Sequence, residues 1–264
     1  MTPPEPTASP ADFSLLILGG TSEAYQLAAD LHGRADTGLR VISSLAGRTA
    51  QPRLPAGESR VGGFGGVAGL TAYLRAEHID AVIDATHPFA GQMRWNAADA
   101  CAAAGVPLLR LERPAWRAAP GDHWLEIDNW DEAVAHLAAS VPATRRVLLA
   151  LGRQELAPFA ALDHCHFVIR SVDAPDPQPP FAHAELVLAR GPFSLADERE
   201  LLLSHAIDTI VCKNSGGGAT DAKLAAAREL GVRVLMRRRP PQPDSPSVAS
   251  VAAAMQWVAA RAGK

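Results

Sequence analysis

The run Leu15-Leu16-Ile17-Leu18 ends on Gly19-Gly20 and passes through Thr21-Ser22 into Glu23-Ala24. A short apolar stretch that meets two glycines and then a hydroxyl pair reads as a buried strand turning tightly into a helix. Thr21 or Ser22 caps that helix, which continues through Leu27, Ala28 and Leu31. The glycines let the backbone take conformations a Cβ would forbid and let a ligand come close to the main chain. Free N–H groups and the positive end of the helix dipole suit a phosphate there. No third glycine follows at the G-x-G-x-x-G spacing. Alone, the turn therefore fits either a nucleotide site or a plain strand-to-helix connection.

The next strand, Leu39 to Ser44, ends where a dinucleotide-binding fold meets the adenosine ribose, roughly 20 residues after the first turn. A carboxylate at this point would accept hydrogen bonds from a ribose 2′-hydroxyl. Here the chain has Ser43 and Ser44, then Gly47, Arg48 and Thr49. Two hydroxyls and a guanidinium suit a 2′-phosphate, which a carboxylate would repel. Arg48 can also be read as a solvated loop arginine; its position favours the phosphate, and the inferred cofactor is NADPH.

Strand and helix signals alternate from there. Strands are predicted at 59–62, 80–85, 106–111 and 124–127, with helices over 70–77, up to Ala104 and over 130–139. Arg146–Gly152 repeats the opening strand-glycine pattern, and strands follow at 167–172, 185–189, 209–212 and 233–236. Helices are predicted at about 195–205, 219–230 and 247–261. This order predicts an α/β fold of two Rossmann-like domains, with mainly parallel sheets flanked by helices. The boundaries are set at 1–12 for a disordered Pro-, Thr- and Ala-rich tail, 13–142 for an NADPH-binding domain and 143–264 for a second, substrate-binding domain.

The 264 residues carry a net charge of −3, which argues against a general nucleic-acid binder. Cys101, Cys165 and Cys212 form no paired motif, so no disulfide framework or zinc site is expected. The His164–His166 pair lacks further ligands nearby, and no metal is assigned. No signal peptide or membrane-spanning run stands out, and a cytoplasmic location is expected.

In open parallel sheets, ligands collect beyond the carboxyl ends of the strands. Asp84-Ala85-Thr86-His87-Pro88-Phe89 places a carboxylate, a hydroxyl and an imidazole at one such end. His87 either donates a proton, hydrogen-bonds the cofactor or packs beside Pro88. Asp84 is as well suited to capping as to catalysis. Val211-Cys212-Lys213-Asn214-Ser215-Gly216-Gly217-Gly218 runs a buried strand into a cation, two polar side chains and three glycines. Such a loop suits carboxylate or phosphate groups, or is a mobile surface loop. The lysine precedes the glycines, so it is no P-loop.

Taken together, LILGGTSEA at 16–24, VISSLAGRT at 41–49, DATHPFA at 84–90, LLRLERPAW at 108–116, LALGRQELAPF at 149–159, FVIRSV at 167–172, ARGPFS at 189–194 and IVCKNSGG at 210–217 resemble the precorrin-6A reductase family of cobalamin biosynthesis. The matches run in order over nearly the whole chain. The resemblance implies a two-domain reductase that uses a reduced nicotinamide nucleotide without flavin or metal. It implies reduction of the C18–C19 double bond of precorrin-6A to give precorrin-6B, with hand-over of the macrocycle among neighbouring corrin-pathway enzymes. The family includes members whose substrate carries cobalt.

Under that resemblance, Gly19, Gly20, Thr21, Ser22, Ser43, Ser44, Arg48 and Thr86 are the expected cofactor residues, and His87 and Lys213 the expected catalytic ones. The macrocycle is rich in carboxylates. Arg94, Arg110, Arg113, Arg153, Arg170, Arg190 and Lys213 are the expected cations for it, with Asn214, Ser215 and Gly216; some of these arginines are surface or structural residues. Arginine holds carboxylates through paired hydrogen bonds and stacks on flat conjugated rings. Alternatives are an NADPH reductase for another conjugated anion and a tetrapyrrole or nucleotide carrier without turnover.

Overall fold

A computed structural model describes residues 12–33, 38–47, 53–139, 145–218 and 220–263. The expected tail and the expected boundary at 142/143 lie outside these residues, apart from Asp12. The chain divides into two compact units, one containing the residues up to Arg113 together with those from Pro241 onward, the other Pro114–Pro240.

The first unit begins with β1 (Phe13–Leu18), α1 (Ser22–His32), β2 (Leu39–Leu45), β3 (Glu58–Val61), α2 (Gly66–Ala76), β4 (Ala81–Asp84), α3 (Gly91–Ala104) and β5 (Leu108–Leu111). Parallel strands covered on both faces read as nearly continuous apolar runs, and β1 and β4 do so. The two-residue strand period sends Leu15 and Ile17 to one face and Leu16 and Leu18 to the other. The first pair packs with Leu27, Ala28 and Leu31 of α1, and the second with Leu70 and Leu74 of α2 and Ala97 and Ala100 of α3. Burying each such leucine contributes about 1.5–3 kcal/mol.

The second unit contains β6 (Trp124–Ile127), α4 (Trp130–Ala138), β7 (Arg145–Ala150), β8 (Cys165–Ser171), β9 (Ala184–Leu188), α5 (Leu195–Ser204), β10 (Thr209–Lys213), α6 (Ala222–Leu230) and β11 (Arg233–Arg237). One core joins Val147, Leu149, Val211 and Leu235 to Trp130, Leu137 and Phe159. The other joins Leu148, Ile210 and Val234 to Leu202 of α5 and Leu224 of α6. The chain then returns to the first unit with β12 (Ser247–Val248) and α7 (Val251–Ala262).

Both sheets have six strands, and every pairing is parallel. The first runs β3-β2-β1-β4-β5-β12 and the second β9-β8-β7-β10-β11-β6. The first is the doubly wound order 3-2-1-4-5-6 of a Rossmann fold; the second has the same spatial arrangement, but its sixth position is filled by β6, which precedes the other five in sequence. The sixth strand of each comes from the wrong side of a two-halves division. β6 and α4, expected to finish the first domain, belong to the second sheet, where Trp124 pairs with Val234. β12 and α7, expected in the second, close the first sheet, where Ser247 pairs with Arg110. The division at 142/143 is thus replaced by crossings at Arg113/Pro114 and Pro240/Pro241.

Candidate functional site

Each sheet reverses its strand order between two central strands, and that is where such folds bind ligands. In the first unit the reversal lies between β1 and β4. Gly19 N–H donates to Ser44 O (2.9 Å) and Ala85 N–H to Leu18 O (2.9 Å), which extends the ladder just past the strands. Thr21, not Ser22, caps α1. Its hydroxyl accepts from Ala24 N–H (3.2 Å) and donates to Ala85 O (2.8 Å), tying the two loops together. Ser22 is exposed in the first turn and donates to Glu23. Gly20 has φ +116° and nothing within 4 Å of where its Cβ would stand. An open cradle therefore lies before the helix N-terminus.

The two serines of β2 point to opposite faces. Ser43 is 1% exposed, and its hydroxyl has no hydrogen-bond partner among the described residues. Ser44 accepts from Arg60 Nη1 at 2.8 Å. Arg60 also donates to the carbonyls of Gly62 and Gly63, and its guanidinium lies 3.8 Å from the Phe64 ring centroid. Sequence reasoning missed Arg60, although a cation ending a strand before a glycine-rich loop meets the strand-end criterion. Arg48 lies outside the described residues.

At the end of β4, buried Asp84 accepts from Thr86 N–H (3.0 Å) and Thr86 Oγ1 (2.6 Å). Thr86 is itself buried, and its hydroxyl is committed to Asp84. His87 is half-buried, and its Nδ1 accepts from Phe89 N–H at 3.2 Å. That bond places the proton of the neutral ring on Nε2.

Three of the arginines expected against substrate lie in the first unit, and each is joined to carboxylates of that unit. Arg94 is 1% exposed; it meets Glu112 Oε1 at 3.2 Å, Asp84 Oδ2 at 4.0 Å and the Gln242 side chain. Buried Arg110 donates to Pro243 O (3.1 Å) and meets Glu112 Oε2 at 3.2 Å. Arg113 bonds Glu23 in the first turn of α1 at 3.0 Å. The first two have almost no surface to offer a ligand, because isolated buried charge is too costly and the fold pairs it internally.

In the second unit the reversal lies between β7 and β10. Lys213 forms an ion pair with Glu155, which ends the 3-10 turn Arg153–Glu155 after β7. Glu155 also meets Arg237 Nη1 (3.3 Å) and accepts from Trp130 Nε1 (3.3 Å), and the Arg237 guanidinium lies 4.7 Å from the Trp130 ring centroid. Glu155 and Arg237 were not foreseen, since nothing local marks residues so far apart in sequence as partners. Arg153 is half-buried in the same turn.

The expected substrate loop is built tightly. The Asn214 side chain accepts from Trp116 N–H (2.8 Å) and donates to Trp116 O (2.9 Å), so it is turned to backbone and not to a ligand. Ser215 is half-buried, and its carbonyl accepts from Arg239 Nη2 at 3.3 Å. Gly216 has φ +68°, and a Cβ there would collide with the Pro114 carbonyl and the Arg239 guanidinium. Arg170 is tied to fully buried Glu198 of α5 at 2.9 Å and lies over Phe193 at 4.1 Å. Arg190 is exposed after β9. Lys223 is buried beneath the loop; its ammonium donates to Thr220 O and lies 4.5 Å from the Trp116 ring centroid, and desolvation lowers its pKa below the ordinary lysine value.

Among the described residues no group of three or more His, Cys, Asp or Glu is placed to hold a metal ion. His166 stacks instead on His183, with ring centroids 4.6 Å apart. The three cysteines are buried, and burial pushes the Cys101 thiol up to about 12. No helix among the described residues is long and apolar enough to cross a membrane.

Two doubly wound sheets, each with a polar loop cluster at its reversal point, define an α/β protein of the nucleotide-dependent enzyme type. The family model of the precorrin-6x reductases CbiJ/CobK matches residues 14–259. A precorrin-6A reductase of Rhodococcus erythropolis is 51% identical over 246 residues, 92% of this chain and 96% of its own. That of Rhodobacter capsulatus is 46% identical, covering 93% and 95%. A cobalt-precorrin-6A reductase of Priestia megaterium is 29% identical, covering 86% and 90%. A solved CobK precorrin-6A reductase superposes with a TM-score of 0.87 at 45% identity, covering 94% of this chain and 96% of that one. The chain belongs to the precorrin-6x reductase family and is an oxidoreductase of cobalamin biosynthesis acting on precorrin-6A. The family's reductive activity implies a nicotinamide cofactor.

Proposed function

We propose that the first unit holds NADPH, the second holds precorrin-6A, and the C18–C19 double bond is reduced to give precorrin-6B. The open cradle at Gly20 and the N-terminus of α1 suit a pyrophosphate, because a Cβ would fill the space and a helix start offers N–H groups and the positive end of its dipole. The observation that carries the preference for NADPH is the Arg60 guanidinium on Ser44, at the end of the strand where this fold meets the adenosine ribose. Arg48 extends the same reading along the following loop. The Ser43 hydroxyl, buried and without a described partner, is a further polar group at this strand end.

When bound, the reduced nicotinamide supplies the hydride, leaving the chain to align the reactants, exclude water and manage one proton. His87 is the proposed proton source, since the Phe89 N–H engages Nδ1 and leaves the ring's proton at Nε2. Lys213 and Arg237 meet Glu155 in the second unit, Arg153 lies in the same turn as Glu155, and these cations suit the macrocycle's carboxylates. Arg190 is exposed at the same sheet edge and joins them.

Arg60→Ala tests the cofactor reading. NADPH binding should weaken by about 1.5–3 kcal/mol, the scale of a hydrogen bond to a charged group, while NADH binding stays nearly constant. Equal losses for both nucleotides would remove the 2′-phosphate from this position. Deuteride transfer from labelled NADPH, followed by locating the label in the product, checks the reduced bond.

A further inference from the structure

The second unit is entered at Pro114 and left at Pro240, and the loop after β10 is fastened to the chain beside both points. On the entry side, Asn214 makes a two-way amide pair with the Trp116 backbone, at 2.8 and 2.9 Å, and Trp116 Nε1 donates to Gly217 O at 2.8 Å. On the exit side, Arg239 Nε donates to Asn214 O (3.1 Å) and Nη2 to Ser215 O (3.3 Å). Gly216 fits between Pro114 and Arg239 only because it has no side chain. From below, the Lys223 ammonium donates to Thr220 O and rests on the Trp116 ring.

Three carbonyls of the loop, those of 214, 215 and 217, are therefore held by side chains from outside it. A glycine-rich segment left to itself samples many conformations, and ordering it on ligand binding would cost affinity. A loop already fixed carries no such cost. Asn214 is 6% exposed and spends both ends of its amide on the backbone of one residue, Trp116, so its contribution is placement and not ligand contact.

We propose that Asn214 and Arg239 are positioning residues for the reductase: they fix the loop that carries Lys213 to the two segments where the chain enters and leaves the second unit. The proposal rests on the reading that this loop serves the macrocycle. The chemistry it serves is anion capture by a preset cation and backbone amides, so the clamp should act on substrate affinity more than on turnover.

Asn214→Asp is the informative variant. It keeps the volume and the acceptor for Trp116 N–H, but sets a second acceptor against Trp116 O. Arg239→Gln removes the other fastening and serves if the first variant fails to fold. Each should raise KM for precorrin-6A on the order of tenfold, the scale of one or two lost hydrogen bonds, with kcat and KM for NADPH near parental. Hydrogen exchange at the Trp116 amide should quicken in Asn214→Asp. Added to Lys213→Ala, Asn214→Asp should cost little more, because its effect runs through the loop that carries Lys213. A parental KM in both clamp variants beside an impaired Lys213→Ala overturns the positioning role and leaves the substrate reading standing. Full multiplication of the two effects in the double variant also overturns it. A shift confined to KM for NADPH in both Lys213→Ala and Asn214→Asp keeps the positioning role and overturns the assignment of this loop to the macrocycle.

Discussion

At the carboxyl edge of the first sheet stand the bare backbone at Gly20 and the Arg60 guanidinium on Ser44, whereas at that of the second Lys213 and Arg237 stand around one carboxylate. Around Gly20 and Thr21 the helix end and the bare backbone supply the polarity, and Arg94, Arg110 and Arg113 are neutralised by Asp84, Glu112 and Glu23. In the second unit Lys213 and Arg237 both meet Glu155. The strand order is the same in both, so architecture alone does not choose the ligand. What differs is burial: Arg94 and Arg110 are closed in with their carboxylates, whereas Lys213, Arg237 and Glu155 stay partly exposed. A closed-in pair serves the fold.

That contrast can be broken most forcefully at Arg94. Replacing it with Met would take the guanidinium from buried Asp84 and leave Glu112 with Arg110, and unfolding free energy should fall by about 3–5 kcal/mol. Urea denaturation measures the loss directly. The matching change in the second unit, Arg237→Met, should leave the denaturation midpoint close to parental and raise KM for precorrin-6A. If Arg237→Met proves as destabilising as Arg94→Met, the two sets of arginines do not differ in role.

A smaller effect is expected where the first unit works through backbone. Gly20→Val places a branched side chain at φ +116° and fills the cradle before α1. NADPH affinity measured by fluorescence titration should drop at least on the order of tenfold, since a Cβ in this region also costs about 1–2 kcal/mol of strain. Normal titration with an intact fold would move the phosphate site away from this turn. Smallest of the three is Thr21→Val, which removes the helix cap and the bond to Ala85 while keeping shape. It should cost about 1 kcal/mol of stability, read from the thermal midpoint.

The local features of this chain were legible in advance. The Gly19–Thr21 turn, the Asp84–Phe89 segment and the Lys213–Gly218 loop each declare themselves within a few residues, because glycine and apolar runs act on the nearest backbone. The exchange of sixth strands was not. Trp124–Ile127 and Ser247–Val248 are short, and which sheet they join depends on partners at Val234 and Arg110, far away in sequence. Ser247–Val248 even reads as the start of the following helix, which begins at Val251. The partners of the arginines were hidden for a related reason: Arg94 meets Glu112 and Arg170 meets Glu198, carboxylates 18 and 28 residues away.

The exchange also sets an order of assembly during synthesis. The second unit is one unbroken stretch, Pro114–Pro240, and has every strand of its sheet once β11 has emerged. The first unit starts earlier and finishes later. Until β12 and α7 have been made, β5 presents an open edge, and the face of α1 that packs with Ala254 and Val258 lacks its cover. An exposed strand edge beside uncovered apolar side chains is a template for mispairing with another chain. The nascent protein therefore carries an aggregation-prone surface in the portion made before the second unit, and α7, made after that unit, is what covers it.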